Sequence, residues 1–316
     1  MKRIFDLEYK DFMTYKKEEI LEAIKQSEGR TVMAETVVSV MPLLDGVANA
    51  ETASAFGADL VTLNAFDFEN PFIFGFDDLS TDMFGGIGQY GKVIAEKIQE
   101  NRKSNDYLKE FKSRVGRFVG VNMEPVPSDI PYPEGMRMSA KNIKRAVELG
   151  FDYVIVTANP KTNIDSEDII KGIKLIRETV GDGLLIIAGK MHGAGAGNIY
   201  SESVIEDFVK AGADVVLIPA PGTVPGYDEP LVRTFIDLVH KHDALAMTTI
   251  GTSQEGAKES VIESFALSSK RAGADIQHIG DAGYSGMALP ENILSLSIAI
   301  RGKRHSYRQI ARSKRR

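Results

Sequence analysis

A four-residue phrase recurs along this chain and limits what the chain can fold into. It reads Phe56-Gly57-Ala58-Asp59, Leu149-Gly150-Phe151-Asp152, Ala211-Gly212-Ala213-Asp214 and Ala272-Gly273-Ala274-Asp275. Each copy runs straight into an apolar stretch: LVTLNAF, YVIVTANP, VVLIPAP and IQHIGDAG. A glycine that closes a helix in the left-handed conformation and releases the chain into a buried strand is a helix-to-strand joint. The glycines stand 93, 62 and 61 residues apart. A spacing near 61 residues holds two strand–helix units, so the phrase marks every second strand of a repeating β/α chain.

Four further runs fill the gaps: residues Thr31–Val38, Phe118–Pro125, Leu184–His192 and Ala244–Thr252. Each is apolar or β-branched and bounded by Gly, Pro or charge, the texture of strands buried on both faces of a parallel sheet. Helical stretches alternate with them, among them Ser166–Val180, Ser201–Ala211, Glu229–His242 and Glu255–Ala272. Eight such units in 316 residues predict a (β/α)8 barrel, a fold of about 250 residues plus insertions. An open doubly wound sheet is the competitor, and the near-equal repeat favours closure.

The whole chain, 1–316, reads as one barrel domain with additions. Residues 1–30, with a helical run over Lys16–Gln26, would cover the bottom of the barrel or pack alongside it. Residues 67–91 leave the carboxyl end of the second strand and carry five Phe. A long loop there reads as a lid or a subunit contact.

Composition removes several function classes. The absence of cysteine rules out disulfides, a thiolate nucleophile and thiolate metal sites. No run reaches the roughly 18 apolar residues of a membrane span, and MKRIFDLEYKDF lacks the apolar core of a signal peptide. The expectation is a cytoplasmic protein with no membrane partner. The net charge of −6 is uneven: residues 301–316 hold eight Lys/Arg and no acid. Basic tails bind nucleic-acid phosphates, but no stacking platform or recognition motif accompanies this one. A solvated helix end, or cations against an acidic neighbouring subunit, is the reading preferred, and a homo-oligomer is the default.

Polar residues at the carboxyl ends of barrel strands are the exceptions to explain. Thr62 and Asn64, Asn122 and Glu124, Thr157 and Asn159, and Lys190 and His192 are pairs two residues apart, so each pair shares a strand face. Glu35 on the first strand, Thr248 or Thr249 on the seventh, and His278 and Asp281 on the eighth would join them at the top of the barrel. Lys190, desolvated there, would be a base, an electrophile or an imine-forming amine. His192 is placed to shuttle protons. Glu35 and Glu124 would be the acid/base partners of Lys190, and with Asp281 they could hold a divalent metal ion, although no close-spaced ligand cluster supports a dedicated site. Asn64, Asn122, Thr157, Asn159, Thr249, His278 and Asp281 would orient the substrate. Glycine loops crowd the same end, Gly193 to Gly197 and Gly222 to Gly226 among them. Those after strands 7 and 8, with Gly251, Thr252, Ser253, Gly283 and Gly286, are placed to hold a phosphate or carboxylate.

The segments TTIGTSQEGA, ADIQHIGDAG and PENILSLSIAIRGKRH resemble an uncharacterised bacterial TIM-barrel family over most of the chain. Its members carry loose labels such as phosphoenolpyruvate phosphonomutase-like or haloacid dehalogenase-like hydrolase. The resemblance implies the fold and the weight of those motifs. A dehalogenase-type site needs an Asp-x-Asp strand end, where Leu43-Leu44-Asp45-Gly46 offers one Asp. A mutase-type site has an acidic metal cluster and a loop cysteine, and this chain has no cysteine.

The residues together predict an enzyme acting on a small phosphorylated or carboxylated metabolite. It would be an aldolase-like lyase, or an isomerase working by proton transfer beside a carbonyl. A metal-dependent phosphate-ester hydrolase and a non-catalytic metabolite- or partner-binding barrel are the alternatives.

Overall fold

The computed structural model describes residues 2–77, 86–159, 162, 164–191 and 201–311. Its eight strands are β1 (Thr31–Val37), β2 (Leu60–Asn64), β3 (Phe118–Met123), β4 (Tyr153–Val156), β5 (Leu185–Gly189), β6 (Val215–Pro219), β7 (Leu245–Ile250) and β8 (Ile276–Ile279). They follow one another in parallel around a closed barrel, and β8 returns to β1 with Met33 opposite His278. Between and before them, among the described residues, run α1 (Tyr9–Thr14), α2 (Lys17–Lys25), α3 (Asn49–Ala55), α4 (Gly86–Lys103), α5 (Tyr107–Val115), α6 (Ala140–Leu149), α7 (Ser166–Val180), α8 (Glu202–Ala211), α9 (Glu229–Lys241), α10 (Glu259–Ala272) and α11 (Pro290–Ala311). No helix among the described residues is long and apolar enough to cross a membrane.

The recurring phrase does its two jobs at both ends of the joint. Gly57, Gly150, Gly212 and Gly273 all have φ between 90° and 125°, where a side chain would be strained. The aspartate that follows does something the spacing alone did not disclose. The carboxylates of Asp59, Asp152, Asp214 and Asp275 accept the backbone N–H of Val32, Val119, Ile186 and Ala246 at 2.8–2.9 Å. Each aspartate's own N–H returns to the carbonyl of that same partner, again at 2.8–2.9 Å. Four two-bond clamps therefore tie the start of every odd strand to the approach of the even strand after it. They satisfy donors that would otherwise be orphaned at the barrel's lower edge.

Alternation along the strands divides the apolar residues into two cores. Met33, Leu60, Phe118, Ile155, Ile187 and Leu217 point inward, where Phe5, Leu7, Phe12, Ile20 and Ile24 of the N-terminal segment close the lower opening. Their neighbours, such as Val32, Val61, Val119, Ile186 and Val216, point outward and pack against the helices. The Phe-rich connection after β2 is, in its described part, packed into that outer core. Phe66 and Phe68 pack edge-on against Phe151, and Phe76 against Tyr107 and Phe111. Asp77 locks it by accepting from the Ile73 N–H, Asn101 and the Tyr107 hydroxyl. Residues 78–85 lie outside the described residues.

The described part of the basic C-terminal segment, up to residue 311, is partly packed onto the barrel. Arg301 is buried against Asp59 and the Gly57 carbonyl, His305 packs on Phe5, and Arg308 pairs with Asp6. Two cavities of about 760 and 750 Å³ flank α2 at the lower end. Their walls include the ion-paired Lys112–Asp152 and Arg177–Asp214, and they are remote from the polar strand ends.

Candidate active site

Inward alternation carries six of the eight strands from apolar residues at the bottom to polar ones at the top, while β5 and β6 stay apolar. From Met33 it reaches Glu35, from Leu60 it reaches Thr62 and Asn64, and from Phe118 it reaches Gly120, Asn122 and Glu124. From Ile155 it reaches Thr157 and Asn159, from Met247 Thr249, and from Ile276 His278. Thr248 falls on the outer face, where its hydroxyl meets Gln277.

Strand register sets the depth of the site. Glu35 lies opposite Thr62, Thr62 opposite Gly120, and Gly120 opposite Tyr153, a row that the tilt of the strands carries downward from Glu35 to Tyr153. The Tyr153 ring fills the space above Gly120: a Cβ at residue 120 would come within 2.1 Å of it. Its hydroxyl shares a 2.9 Å hydrogen bond with Thr62, and burial holds the phenol protonated by pushing its pKa upward. The ring is the floor.

A cluster of carboxyls stands above that floor. Glu35 is buried, and one oxygen accepts from the Asn122 amide at 2.5 Å. The other faces Nε2 of His278 at 3.3 Å, yet neither atom has a hydrogen-bond partner among the described residues. Burial, reinforced by the charge of Glu124, pushes the Glu35 pKa up to about 7. Burial also drives His278 down to about 4, so the imidazole is neutral and shares its Nδ1 with the Thr249 hydroxyl at 2.6 Å. Asp281, beyond β8, accepts from Asn64 at 2.7 Å and is pushed up to about 7 by burial and by Glu35. Two carboxyls of one cluster cannot both ionise freely in a dry pocket, and a proton is kept near neutral pH.

Glu124 occupies a second station. It accepts from the backbone N–H of Asn159 at 2.9 Å, from the Asn159 side-chain amide, and from the Tyr132 hydroxyl at 3.2 Å. Nearby, the buried Thr157 hydroxyl has no partner among the described residues.

Glu255 was missed by sequence reasoning, which placed it at the start of a helix. It lies instead in a one-turn 3-10 segment between β7 and α10, only 2% exposed, with its pKa pushed up to about 7 by burial. The charges of Asp281, His278 and Glu35 all act on it. The one available signal was an acid inside a glycine-bounded loop after strand 7.

Other expectations are corrected. Lys190 follows the outer alternation of β5: its amine donates to the Ile164 carbonyl and answers to Asp165 and Asp168 at the start of α7. Gly189, with φ of 152°, precedes it, and Met191 rather than Lys190 packs inward. Burial lowers the Lys190 pKa. Asp281 stands within side-chain hydrogen-bond reach of Glu35, but no group of three or more His, Asp or Glu among the described residues is arranged to hold a metal ion. Gly283 and Gly286 are both demanded by packing. A Cβ on Gly283 would meet the Met287 carbonyl at 2.6 Å, and the Gly286 carbonyl accepts the Val37 N–H at 2.8 Å. Together they lay the loop after β8 against β1. After Gly251 the exposed pair Thr252 and Ser253 forms a left-handed turn, with the Thr252 hydroxyl bonded to the Gly251 and Thr223 carbonyls. His192 and the glycine run 193–197 lie outside the described residues.

A sequence model of the family described as a domain of unknown function, DUF7916, matches residues 5–316. The chain belongs to that family. No curated protein matches this DUF7916 chain. Solved structures similar to it include 2,3-dimethylmalate lyase, described as a PEP mutase/isocitrate lyase superfamily member (15% identity, 84% of this chain and 81% of that one, TM-score 0.47). Oxaloacetate acetylhydrolase with its product oxalate follows (12%, 84% and 80%, TM-score 0.47). Thiamine phosphate pyrophosphorylase from Pyrococcus furiosus is a third (12%, 86% and 96%, TM-score 0.46). At that level of likeness they say nothing of what a DUF7916 chain does, and the closed barrel rests on its own strand pairing.

Proposed function

We propose that this barrel is an enzyme that moves protons on a small carbonyl-bearing metabolite, as an aldolase-like lyase or an isomerase, with Glu35 as the acid–base group. The observation that carries the reading is Glu35 itself. It is an inward carboxyl with one oxygen fixed by Asn122, the other facing Nε2 of His278, and a pKa pushed up to about 7 by burial. A general acid–base works best when its pKa lies near the operating pH. Asn64, Asn122, Thr157, Asn159 and Thr249 supply the neutral hydrogen-bonding wall that orients hydroxyl and carbonyl groups. Glu124 is the second carboxyl within the barrel. A carboxylate or phosphate on the substrate would lie at the rim, toward Thr252 and Ser253, away from the acidic floor.

The test is solvent proton exchange. Pyruvate, oxaloacetate and dihydroxyacetone phosphate are incubated with the protein in D2O, and loss of the C–H signal is followed by proton NMR. Enzyme-dependent exchange of a panel member, reduced about 100-fold or more in Glu35→Gln, is the expected result. Equal exchange by Glu35→Gln, or none by the wild type across the panel, would overturn it. A metal-dependent phosphate-ester hydrolase is the second reading, suggested by the number of carboxyls in the mouth. Phosphatase activity abolished by EDTA and restored by a divalent ion would favour it instead.

A further inference from the structure

We infer that Glu255 is a second catalytic carboxyl of this mouth, aimed beside His278 toward Glu35 by a strained turn and admitted by the bare Cα of Gly280. The inference rests on the proton-transfer reading and adds the group that works opposite Glu35.

Three features of geometry carry it. Thr252 and Ser253 are consecutive non-glycine residues with φ of 60° and 65°. Such backbone costs energy and persists only where the surroundings hold it. They do: Thr252 is bonded to the Thr223 carbonyl, and the Asn292 amide of α11 donates to the carbonyls of Glu255 at 2.7 Å and Ala257 at 2.8 Å. Second, a side chain at residue 280 would have to displace the Glu255 carboxyl from its place. A Cβ there would fall 2.3 Å from Oε1 of Glu255, while the Gly280 N–H is fixed to the Ile250 carbonyl at 3.0 Å. Third, Oε2 of Glu255 is buried with no hydrogen-bond partner among the described residues. A carboxyl kept only for structure would be paired. This one is strained into place, given clearance and left open.

The chemistry follows from two such groups. The Glu35 carboxylate takes the proton from the carbon beside the carbonyl. The C–H electron pair forms the new C=C bond as the carbonyl π pair moves onto oxygen. That oxygen takes its proton from the Glu255 carboxylic acid. The pair holds one proton before the step and one after it, and reversal on the neighbouring carbon completes an isomerisation. The titratable groups facing the pair are Glu124 just after β3, Tyr153 from β4, His278 from β8 and Asp281 just after it. The singly protonated pair is the working form, so kcat should be bell-shaped in pH about neutrality.

Two readouts test this on the full chain. The first needs no substrate: infrared difference spectra between pH 5 and 9 follow the carboxylic C=O band. Glu255→Gln should remove one component that titrates near neutral pH. Gly280→Ala, which alters no charge, should shift that component. The second is exchange of the panel member that the wild type turns over. Glu255→Gln should lower kcat about 100-fold with KM little changed, and should abolish one limb of the pH profile. Should Glu255→Gln not fold, Glu255→Asp, one methylene shorter, carries the same test. A wild type inert on the whole panel overturns the parent reading. An active wild type whose Glu255 variants keep its kcat and pH profile overturns this inference alone.

Discussion

Arg301 donates to Asp59 at 3.1 Å with both side chains fully buried, although 242 residues separate them. Asp59 also takes the Val32 N–H and the Gln309 amide, so one carboxylate joins the first clamp to the last helix. Removing one partner of a buried pair strands the other charge. Asp59→Ala should therefore cost roughly 3–5 kcal/mol, read as a lower urea midpoint at unchanged slope. Asp275→Ala, whose partner His240 is part-exposed, should cost less. Equal losses would mean that the clamp bonds, rather than the buried cation, carry the effect.

The carboxyl cluster sets the direction of the stability–pH curve. Glu35, Glu255 and Asp281 titrate near 7 when folded, against ordinary values of 4.5, 4.5 and 3.8. The folded chain binds those protons more tightly than the unfolded one, so stability falls as pH rises from about 4 to 7 and levels off above. His278, held near 4 against 6.5, acts with the opposite sign and costs stability as pH falls from 6.5 toward 4. Glu35→Gln should gain on the wild type through the carboxyl window, by about 3 kcal/mol above pH 7. Denaturant titrations at pH 5 and pH 8 give the comparison. A gain that is no larger at pH 8 would contradict it.

Gly120 and Tyr153 should behave as one unit. Gly120→Ala forces a methyl into the ring and should cost about 1–3 kcal/mol. Replacing Tyr153 with Leu in the same chain should recover part of that loss, so that the two substitutions fail to add. Additive losses in a thermodynamic cycle would show that the contact is not the source.

Lys190→Met should leave a borohydride trap unlabelled, like the wild type, because the amine is directed at the Ile164 carbonyl and the start of α7. Its expected consequence is faster proteolytic cutting before α7. A trapped adduct on Lys190 in the wild type would restore imine chemistry.

The barrel was legible in the chain because its rule is local: Gly57, Gly150, Gly212 and Gly273 need only a left-handed residue and a following apolar run. The inward polar set was legible for the same reason, since period two along a strand carries Glu35, Asn122 and His278 to one side. Lys190 keeps that period but on the outer face, which spacing alone does not reveal. Glu255 was hidden because its position depends on two strained residues and a distant glycine, none of which alternation registers. The reach of each Asp in the phrase was equally hidden, its partner lying some 30 residues away.

A phenol rising from below to meet Thr62, the neighbour of Glu35, gives this vessel a bottom. Whatever enters must come tip-first from above and halt where Tyr153 stops it, so the deepest atom is the one that meets the acid. Selection by size would then lie in how far a molecule can sink, and a shorter residue at 153 would let bulkier guests reach the same carboxyl.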